Sequence, residues 1–295
     1  NNLFSDDVST RIRHGLELLI EDELTIAFVG EYSRGKTELI NALFFSEYGQ
    51  RMLPSQAGRT TMCPTELFFD RSANENYLLL LPIETRNGEL SLQQLRKQPE
   101  RWVKHELDER DPEIMREVLA EVARVKSVPP EEARALGFDE GMLENDRNNP
   151  GNVLVPAWRN AQISIRHPLF ERGLRILDTP GLNALGSEPE LTISMLPRAH
   201  AVIFVLSADT GVTASDMTIW KEHIDTQHAD HRAGRFAVLN KIDVLWDDLQ
   251  GERHTNEAIE RVRGYTADHL GMRQHDVIPV SAKQGLVARV KKDND

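Results

Sequence analysis

One stretch of the sequence decides the fold: IAFVGEYSRGKTELINAL, residues 26–43. Its first four residues are apolar and predict a buried strand, and its last six predict the opening of a helix. Between them lies Gly30-Glu31-Tyr32-Ser33-Arg34-Gly35-Lys36-Thr37, which matches the phosphate-loop pattern G-x-x-x-x-G-K-[ST]. Such a loop needs this order, because the strand end presents it, backbone N–H groups cradle phosphates and the helix N-terminus adds its dipole. The alternative, a glycine-containing turn with a surface lysine, is disfavoured by the flanking strand and helix.

The loop also predicts roles for individual side chains. Lys36 is expected to reach the β- and γ-phosphates of a nucleotide, and the Thr37 hydroxyl to ligate Mg²⁺. The residues expected to line the nucleotide here are Gly30, Glu31, Tyr32, Ser33, Arg34, Gly35, Lys36, Thr37 and Glu38.

A second loop supplies a candidate metal ligand. The apolar run Leu174–Leu177 predicts a strand that leads into Asp178-Thr179-Pro180-Gly181. An acid at that strand end can hold Mg²⁺ through water, and the Gly181 N–H can meet a γ-phosphate. On its own D-x-P-G is a common turn, so this assignment depends on the neighbouring loops.

Two further loops predict the base. Asp243, after the apolar run 236–239, can accept both the N1–H and the exocyclic amine of guanine, whereas adenine would leave a buried carboxylate unsatisfied. In the same loop Asn240 is a candidate contact, and the Lys241 stem is expected to lie along the base plane. The run 277–280 leads into Ser281-Ala282-Lys283, whose backbone can meet the guanine carbonyl. Each turn is frequent alone, but four loops that each follow a strand-like run predict a domain that binds GTP and GDP.

These segments resemble known motifs. The four loops resemble the G1, G3, G4 and G5 motifs of the translation-factor-related GTPase class. Residues 30–43 and 167–183 resemble those of bacterial dynamin-like proteins, a likeness that covers roughly residues 24–290. It implies an α/β P-loop GTPase domain with a mostly parallel, doubly wound sheet, flanking helices and a helical insert. It also implies that Thr61, within T-M-C-P-T, senses Mg²⁺ and the γ-phosphate.

The resemblance implies an unusual catalyst. Small switch GTPases place a water-orienting glutamine where this chain has Leu182. In dynamins a serine that corresponds to Ser33 holds a monovalent cation (K⁺ or Na⁺), so Ser33, Thr61 and Lys36 are the predicted catalytic residues. Tyr32 departs from the glutamine of the eukaryotic dynamins. Arg34 either supplies positive charge in cis or clamps a phosphate or a switch segment.

Composition limits the function classes. The chain has 295 residues, a net charge of −12 and a pI near 5.4, which argues against nucleic-acid binding and against unaided binding to an anionic membrane. Lipid contact is therefore expected only through parts outside this chain. A single cysteine, Cys63, excludes an internal disulfide and suits the reducing cytoplasm. The family resemblance adds, as an alternative, a peripheral position on the inner face of the cell membrane. No apolar run approaches the roughly 18 residues of a membrane span.

The chain divides into four predicted parts. Residues 1–23 carry a helical stripe, either a flanking helix or a neck segment, and residues 24–290 form the GTPase domain. A charged helical insert is expected at about 88–150, with a stripe of Ile114, Val118, Val122 and Val125. It is either a solvated decoration or a partner surface. Residues 291–295 form a tail that is expected to lead into a helical region, and the chain is expected to be a fragment of a longer protein.

The resemblance implies hydrolysis of GTP to GDP and phosphate, a homodimer across the nucleotide, and an attached helical stalk that remodels membranes. Two alternatives remain open: a regulatory or ribosome-assembly GTPase, and a nucleotide-dependent scaffold with little hydrolysis. The histidines His223, His228 and His231 lack a convincing partner spacing for a metal site and predict a solvated helix end.

Overall fold

The computed structural model of the protein describes residues 23–54, 63–139, 141, 143–179, 196, 199–225, 234–247, 249 and 251–291. The strands are β1 (Leu24–Val29), β2 (Thr65–Phe68), β3 (Tyr77–Pro82), β4 (Val103–Glu106), β5 (Val125–Val128), β6 (Glu144–Asn145), β7 (Val153–Pro156), β8 (Trp158–Ser164), β9 (Leu174–Asp178), β10 (Ala201–Ser207), β11 (Arg235–Asn240) and β12 (Val277–Pro279). The α-helices are α1 (Lys36–Ile40), α2 (Leu92–Leu95), α3 (Pro112–Ala120), α4 (Pro130–Ala135), α5 (Pro168–Glu171), α6 (Ala214–Ile219), α7 (Gly251–Leu270) and α8 (Ala282–Lys291).

The main sheet confirms the predicted architecture. Its strands lie in the order β12-β11-β10-β1-β9-β2-β8-β3-β4. The half from β12 to β9 is parallel throughout, whereas β9 with β2, β8 with β3, and β3 with β4 pair antiparallel. All the strands predicted from apolar runs are present.

Helices cover both faces because successive strand residues point to opposite sides. Phe28 packs with Leu39 of α1 and Leu119 of α3 on one face. Its neighbours Ala27 and Val29 belong to the core on the other face, with α6 and α7. The sheet is therefore doubly wound.

The insert holds the predicted helices but also strands that the sequence did not indicate. Strand β4 extends the main sheet, and β5, β7 and β6 form a separate antiparallel sheet. That sheet and α4 enclose a small core of their own, formed by Ile83, Val128, Ala133, Leu136, Phe138, Leu143, Val153 and Val155. The insert is thus mixed, with its own packing unit.

The predicted apolar stripe of the insert is wrong in part. Asp111 accepts a hydrogen bond from Ile114 N at 3.1 Å and starts α3 at Pro112. From this start the helix buries Met115 and Leu119, while Ile114 is 56% exposed. Val118 and Val122 do pack on the core, but Val125 lies in β5.

Several predictions fall outside the described residues. These are the N-terminal helix up to residue 22, the tail after Lys291, and the roles of His228 and His231. Within the described residues, no helix combines the length and the apolar character that a membrane crossing requires.

Candidate nucleotide-binding site

The predicted loops meet at one end of the sheet. Phe28 of β1 pairs in register with Asp178 of β9, so the acidic loop lies directly beside the phosphate loop. On the other side of β1, β10 separates it from β11, where Ser207 pairs with Asn240. Because parallel strands end together, this edge gathers the four loops, as expected for ligand sites in open α/β sheets.

The phosphate loop has the backbone that its glycines predict. Gly35 has φ 86°, and a Cβ built on it would collide with Nδ2 of Asn240. Only glycine fits such a left-handed position at a close approach. Ser33 also has a positive φ of 63° and is exposed on the loop. Its hydroxyl makes no hydrogen bond within the described part of the chain, which leaves it available to a ligand.

Lys36 is buried within the loop. Its Nζ donates hydrogen bonds to the carbonyl oxygens of Gly30 at 2.8 Å and Glu31 at 3.0 Å. Burial lowers the pKa of Lys36 to about 8, a shift that Asp178 and Glu31 oppose and Arg34 reinforces. A desolvated ammonium held by carbonyl dipoles gains strongly from a phosphate anion, so the geometry suits the predicted phosphate contact.

Thr37 and Asp178 form the candidate metal site. Thr37 Oγ1 lies 3.5 Å from Asp178 Oδ2. Burial raises the pKa of Asp178 to about 6, although Lys36 and the Thr37 hydroxyl act in the opposite direction. Among the described residues Asp178 Oδ1 is buried without a hydrogen-bond partner. A buried carboxylate with an unused oxygen beside a hydroxyl fits the hard oxygen donors that Mg²⁺ prefers.

Thr179 was missed by the sequence reasoning. Its Oγ1 donates to the carbonyl oxygen of Phe28 at 2.9 Å, and its backbone N–H donates to the same oxygen at 3.3 Å. Thr179 therefore ties the end of β9 to β1 and fixes Asp178 against the phosphate loop. The sequence signal that could have found it is a threonine directly after the acid that ends the strand.

Asn240 joins the two halves of the site. Its Nδ2 donates to the carbonyl oxygen of Arg34 at 3.0 Å, and its Oδ1 accepts from the backbone N–H of Ala282 at 3.0 Å. One amide thus links the phosphate loop to the loop at residues 281–283. The predicted contact residue acts as an internal clamp between loops.

The base-recognition residues also come together. Ser281 Oγ donates to Asp243 Oδ1 at 2.6 Å. Lys241 has φ 60°, and its Nζ lies 3.1 Å from Asp209 Oδ2. The pairs hold both side chains at the end of β11, where a guanine base is predicted.

The remaining predicted residues lie at the edge of the site or outside the residues that the structure describes. Glu38 pairs with Arg51 at 2.6 Å, Tyr32 is 40% exposed, and Lys283 is exposed. Thr61 and Gly181 lie outside the described residues, so their roles stay predictions. Cys63 is buried in the main core.

The fold and the phosphate loop define a P-loop nucleotide-binding domain. The family model described as the Dynamin family matches residues 26–242, more than half of the chain. The chain therefore belongs to the dynamin family and is a GTPase domain of that family, which confirms the resemblance read from the motifs.

Individual relatives are distant. Dynamin-like protein A of Bacillus subtilis is 21% identical over 299 residues, which is 95% of this chain and 24% of the relative. The probable transmembrane GTPase FZO-like, chloroplastic, of Arabidopsis thaliana is 32% identical over 121 residues, 40% of this chain and 12% of that protein. A solved structure of an oligomerised bacterial dynamin pair has the same fold at a TM-score of 0.50 and 16% identity, covering 97% of this chain and 44% of that one. The chain thus spans a quarter or less of the length of these two curated relatives.

Proposed function

We propose that this domain binds GTP and hydrolyses it to GDP and phosphate with Mg²⁺. The observation that carries the proposal is the convergence of three pairs at one sheet edge: Lys36 with the loop carbonyls, Thr37 with Asp178, and Asp243 with Ser281. In that order, the three pairs suit the phosphates of GTP, its Mg²⁺ ion and its guanine base.

The chain's own residues divide the work. Backbone N–H groups of residues 30–37 and the Lys36 ammonium are proposed to bind the β- and γ-phosphates. Asp178 and Thr37 would hold Mg²⁺, which when bound neutralises the charge on the phosphate oxygens. In the reaction water attacks the γ-phosphorus and the bond to the β–γ bridging oxygen breaks, so GDP leaves and the attacking water loses a proton to the released phosphate.

Ser33 is the proposed contributor to hydrolysis. A hydroxyl oxygen on an exposed loop turn fits a monovalent cation, since K⁺ and Na⁺ take oxygen ligands. Held there, K⁺ or Na⁺ would supply positive charge near the transferred phosphoryl group. Thr61 is proposed to position the attacking water through its backbone and to contact Mg²⁺, and the Gly181 N–H to contact the γ-phosphate.

We further propose that two copies associate across the nucleotide. Large apolar side chains are exposed on loops that border the site: Tyr32 at 40%, Val244 at 50%, Trp246 at 48% and Leu249 at 97%. Exposed apolar residues that lie together mark interaction sites, and we propose that these four do so here. In the proposal, association speeds hydrolysis, which drives membrane remodelling by a helical stalk outside this chain. The domain is proposed to act in the cytoplasm, at the inner face of a membrane, without nucleic acid.

A scaffold that hydrolyses little is the second candidate. Leu182 cannot orient water by a hydrogen bond, and Tyr32 replaces a glutamine of the eukaryotic dynamins. This candidate predicts slow turnover at every protein concentration. The family match disfavours the ribosome-assembly alternative.

One experiment separates these candidates. GTP turnover per protein is measured over a wide range of protein concentrations, with Mg²⁺ and either K⁺ or Na⁺. The proposal expects the rate to rise with concentration and to vanish in Lys36→Ala, while Lys104→Ala, an exposed lysine of β4 paired with Glu75, behaves as the parent. Constant slow turnover would favour the scaffold, and an active Lys36→Ala variant would overturn the site assignment.

A further inference from the structure

One segment contacts both the phosphate loop and the loop after β11 that carries Lys241 and Asp243, which we call the base loop. No predicted motif includes this segment. It runs from Ser207, the last residue of β10, to Asp216 in α6. We call residues 207–216 the bracket. Its two ends contact different parts of the nucleotide site.

The α6 end of the bracket holds Arg34. Arg34 is 5% exposed, and its Nη2 lies 2.7 Å from Oδ2 of the fully buried Asp216. The same nitrogen contacts Glu31 Oε2 at 2.5 Å and donates to Thr213 Oγ1 at 3.3 Å, and Nη1 donates to Thr210 Oγ1. Apart from Glu31, every hydrogen-bond partner of this guanidinium given by the structure belongs to the bracket.

The Asp216 carboxylate is oriented before Arg34 meets it. Thr213 and Asp216 form a reciprocal capping box at the start of α6. Asp216 Oδ2 accepts from Thr213 N at 3.0 Å and from Thr213 Oγ1 at 2.8 Å, while Thr213 Oγ1 accepts from Asp216 N at 3.1 Å. Thr213 therefore fixes the position of the Asp216 carboxylate, and the Arg34 side chain extends to that position.

The β10 end of the bracket holds the base loop. Asp209 Oδ2 lies 3.1 Å from Lys241 Nζ, and its Oδ1 accepts from Ser207 Oγ at 2.5 Å. The backbone N–H of Ala208 donates to the carbonyl oxygen of Asn240 at 2.8 Å. Since the Asn240 side chain in turn donates to the Arg34 carbonyl, phosphate loop, bracket and base loop form a closed ring.

We propose that the bracket sets the spacing between the phosphate loop and the base loop, with Arg34 and Asp216 as positioning residues. This role rests on the proposed function in one respect, that the site binds a guanine nucleotide. Both Nη atoms of Arg34 contact Glu31 or the bracket, and Nε is buried without a hydrogen-bond partner among the described residues, so these contacts favour a structural role for Arg34 over the supply of charge. Arg34 orders the loop that carries Ser33 and does not supply charge to the phosphates.

The physical reason is the cost of breaking a buried pair. Removal of one partner leaves the other charge buried without compensation, and the loop must then rearrange to rehydrate it. A loop that has moved binds every guanine nucleotide less well, whether or not a γ-phosphate is present. A residue that supplies charge to the transferred phosphoryl group would instead affect turnover and leave GDP affinity intact.

The test compares the parent chain with Asp216→Asn, Arg34→Met, the double variant and Thr210→Val, a milder change at the exposed side of the bracket. GDP and GTP affinities are measured by titration, and amide hydrogen exchange of residues 30–37 is measured without nucleotide. Glu66→Gln is the matched control, because Glu66 is a buried carboxylate paired with Arg96 and Arg175 away from the bracket.

The proposal expects Asp216→Asn to weaken GDP and GTP by the same factor, about tenfold, as for loss of a charged hydrogen bond. The double variant should bind no more weakly than the weaker single variant, and exchange of residues 30–37 should be faster in both single variants but not in Glu66→Gln. Thr210→Val should show the same pattern to a smaller extent.

Unchanged exchange and unchanged GDP affinity in Asp216→Asn and Thr210→Val, or an Arg34→Met variant that loses only turnover, would overturn the proposal. A parent chain that binds no guanine nucleotide would contradict the proposed function instead, and the exchange data would still decide whether the bracket orders the loop.

Discussion

Ser281 and Asp243 share a short hydrogen bond, with Ser281 Oγ donating to Asp243 Oδ1 at 2.6 Å. The same hydroxyl accepts from the backbone N–H of Gln284 at 3.2 Å and so starts α8. One serine therefore fixes both the helix and the carboxylate that is proposed to read the base. Because Oδ1 is held in this way, the orientation of the whole carboxylate is defined before a base arrives.

This pair makes base selectivity testable. Asp243→Asn replaces a carboxylate that is proposed to accept two guanine N–H groups with an amide, whose NH₂ group can only donate. We expect GTP to bind roughly a hundredfold more weakly and xanthosine triphosphate to become the better ligand, since a mismatched buried polar pair costs about 1–3 kcal/mol per group. Competition titration of both nucleotides against a fluorescent GDP measures this.

Ser281→Ala is the companion variant for the same pair. It should weaken GTP by a smaller factor without reversing the preference, because the carboxylate remains and the substitution removes only its hydrogen bond from Ser281 and the cap of α8. A chain with Asp243→Asn that still prefers GTP would remove Asp243 from base recognition.

The sequence predicts those features of the site that depend on residues close together in the chain, and it misses those that depend on distant residues. The phosphate, acid and base loops were all predicted, because each is a short motif placed directly after an apolar strand. The contact of Arg34 with Asp216 joins residues 182 positions apart, and no local pattern announces it. Strand β4 was missed for a different reason. Its sequence V-K-H-E is polar because it lies at the sheet edge, and it therefore lacks the apolar run that marked the other strands.

Metal dependence should follow the Thr37 and Asp178 pair. In Asp178→Asn we expect addition of Mg²⁺ to leave GTP affinity nearly unchanged, whereas in the parent chelation of the metal should weaken GTP about tenfold. The reason is that the buried Asp178 carboxylate is the only charged metal donor of this pair. Isothermal titration with and without EDTA measures both effects, and full Mg²⁺ stimulation in Asp178→Asn would exclude this carboxylate as a ligand.

Ser33 should set the response to monovalent cations. We expect parent turnover to depend on K⁺ or Na⁺, and Ser33→Ala to lose that dependence and about tenfold or more of its rate, while GDP affinity stays near the parent value. Alanine keeps the loop length and removes only the hydroxyl oxygen. Steady-state rates in potassium, sodium and choline chloride provide the comparison, and equal parental rates in all three salts would argue against a bound cation.

Acid stability should depend on Asp70, which follows β2. Burial raises the pKa of Asp70, but hydrogen bonds from Ser72, Ala73 and Tyr77 outweigh it and bring the value to about 2. A carboxyl whose pKa is lower in the folded chain stabilises it above its unfolded pKa, about 3.8, and this contribution is lost as pH falls through about 2. We expect Asp70→Asn to cost about 1 kcal/mol at pH 7 after allowance for solvent screening.

The difference between parent and Asp70→Asn should shrink between pH 4 and pH 2 in urea unfolding. Below its pKa of about 3.8 the carboxyl of the unfolded parent takes up a proton, while that of the folded parent stays charged until about pH 2. Glu252→Gln, on the exposed first turn of α7, is the control and should change little at any pH. A gap that stays constant down to pH 2 would show that Asp70 acts through shape alone.

Self-association should depend on Trp246. Its side chain is 48% exposed in the loop that follows the base-recognition residues. If two copies meet across the nucleotide, Trp246→Ser removes apolar area from that contact. It keeps the backbone N–H that donates to the carbonyl oxygen of Asp243 at 3.3 Å, and it replaces no predicted nucleotide ligand. We therefore expect the rise of GTP turnover with protein concentration to shift to roughly tenfold higher concentrations, while GDP affinity stays unchanged.

Ile114→Ser removes a comparable exposed side chain, at 56% exposure, from α3 of the insert and should keep the parental concentration dependence. Sedimentation with a non-hydrolysable GTP analogue reports the dimer directly. If Trp246→Ser associates as strongly as the parent and Ile114→Ser associates more weakly, the contact between the two copies lies on the insert and not on the base loop.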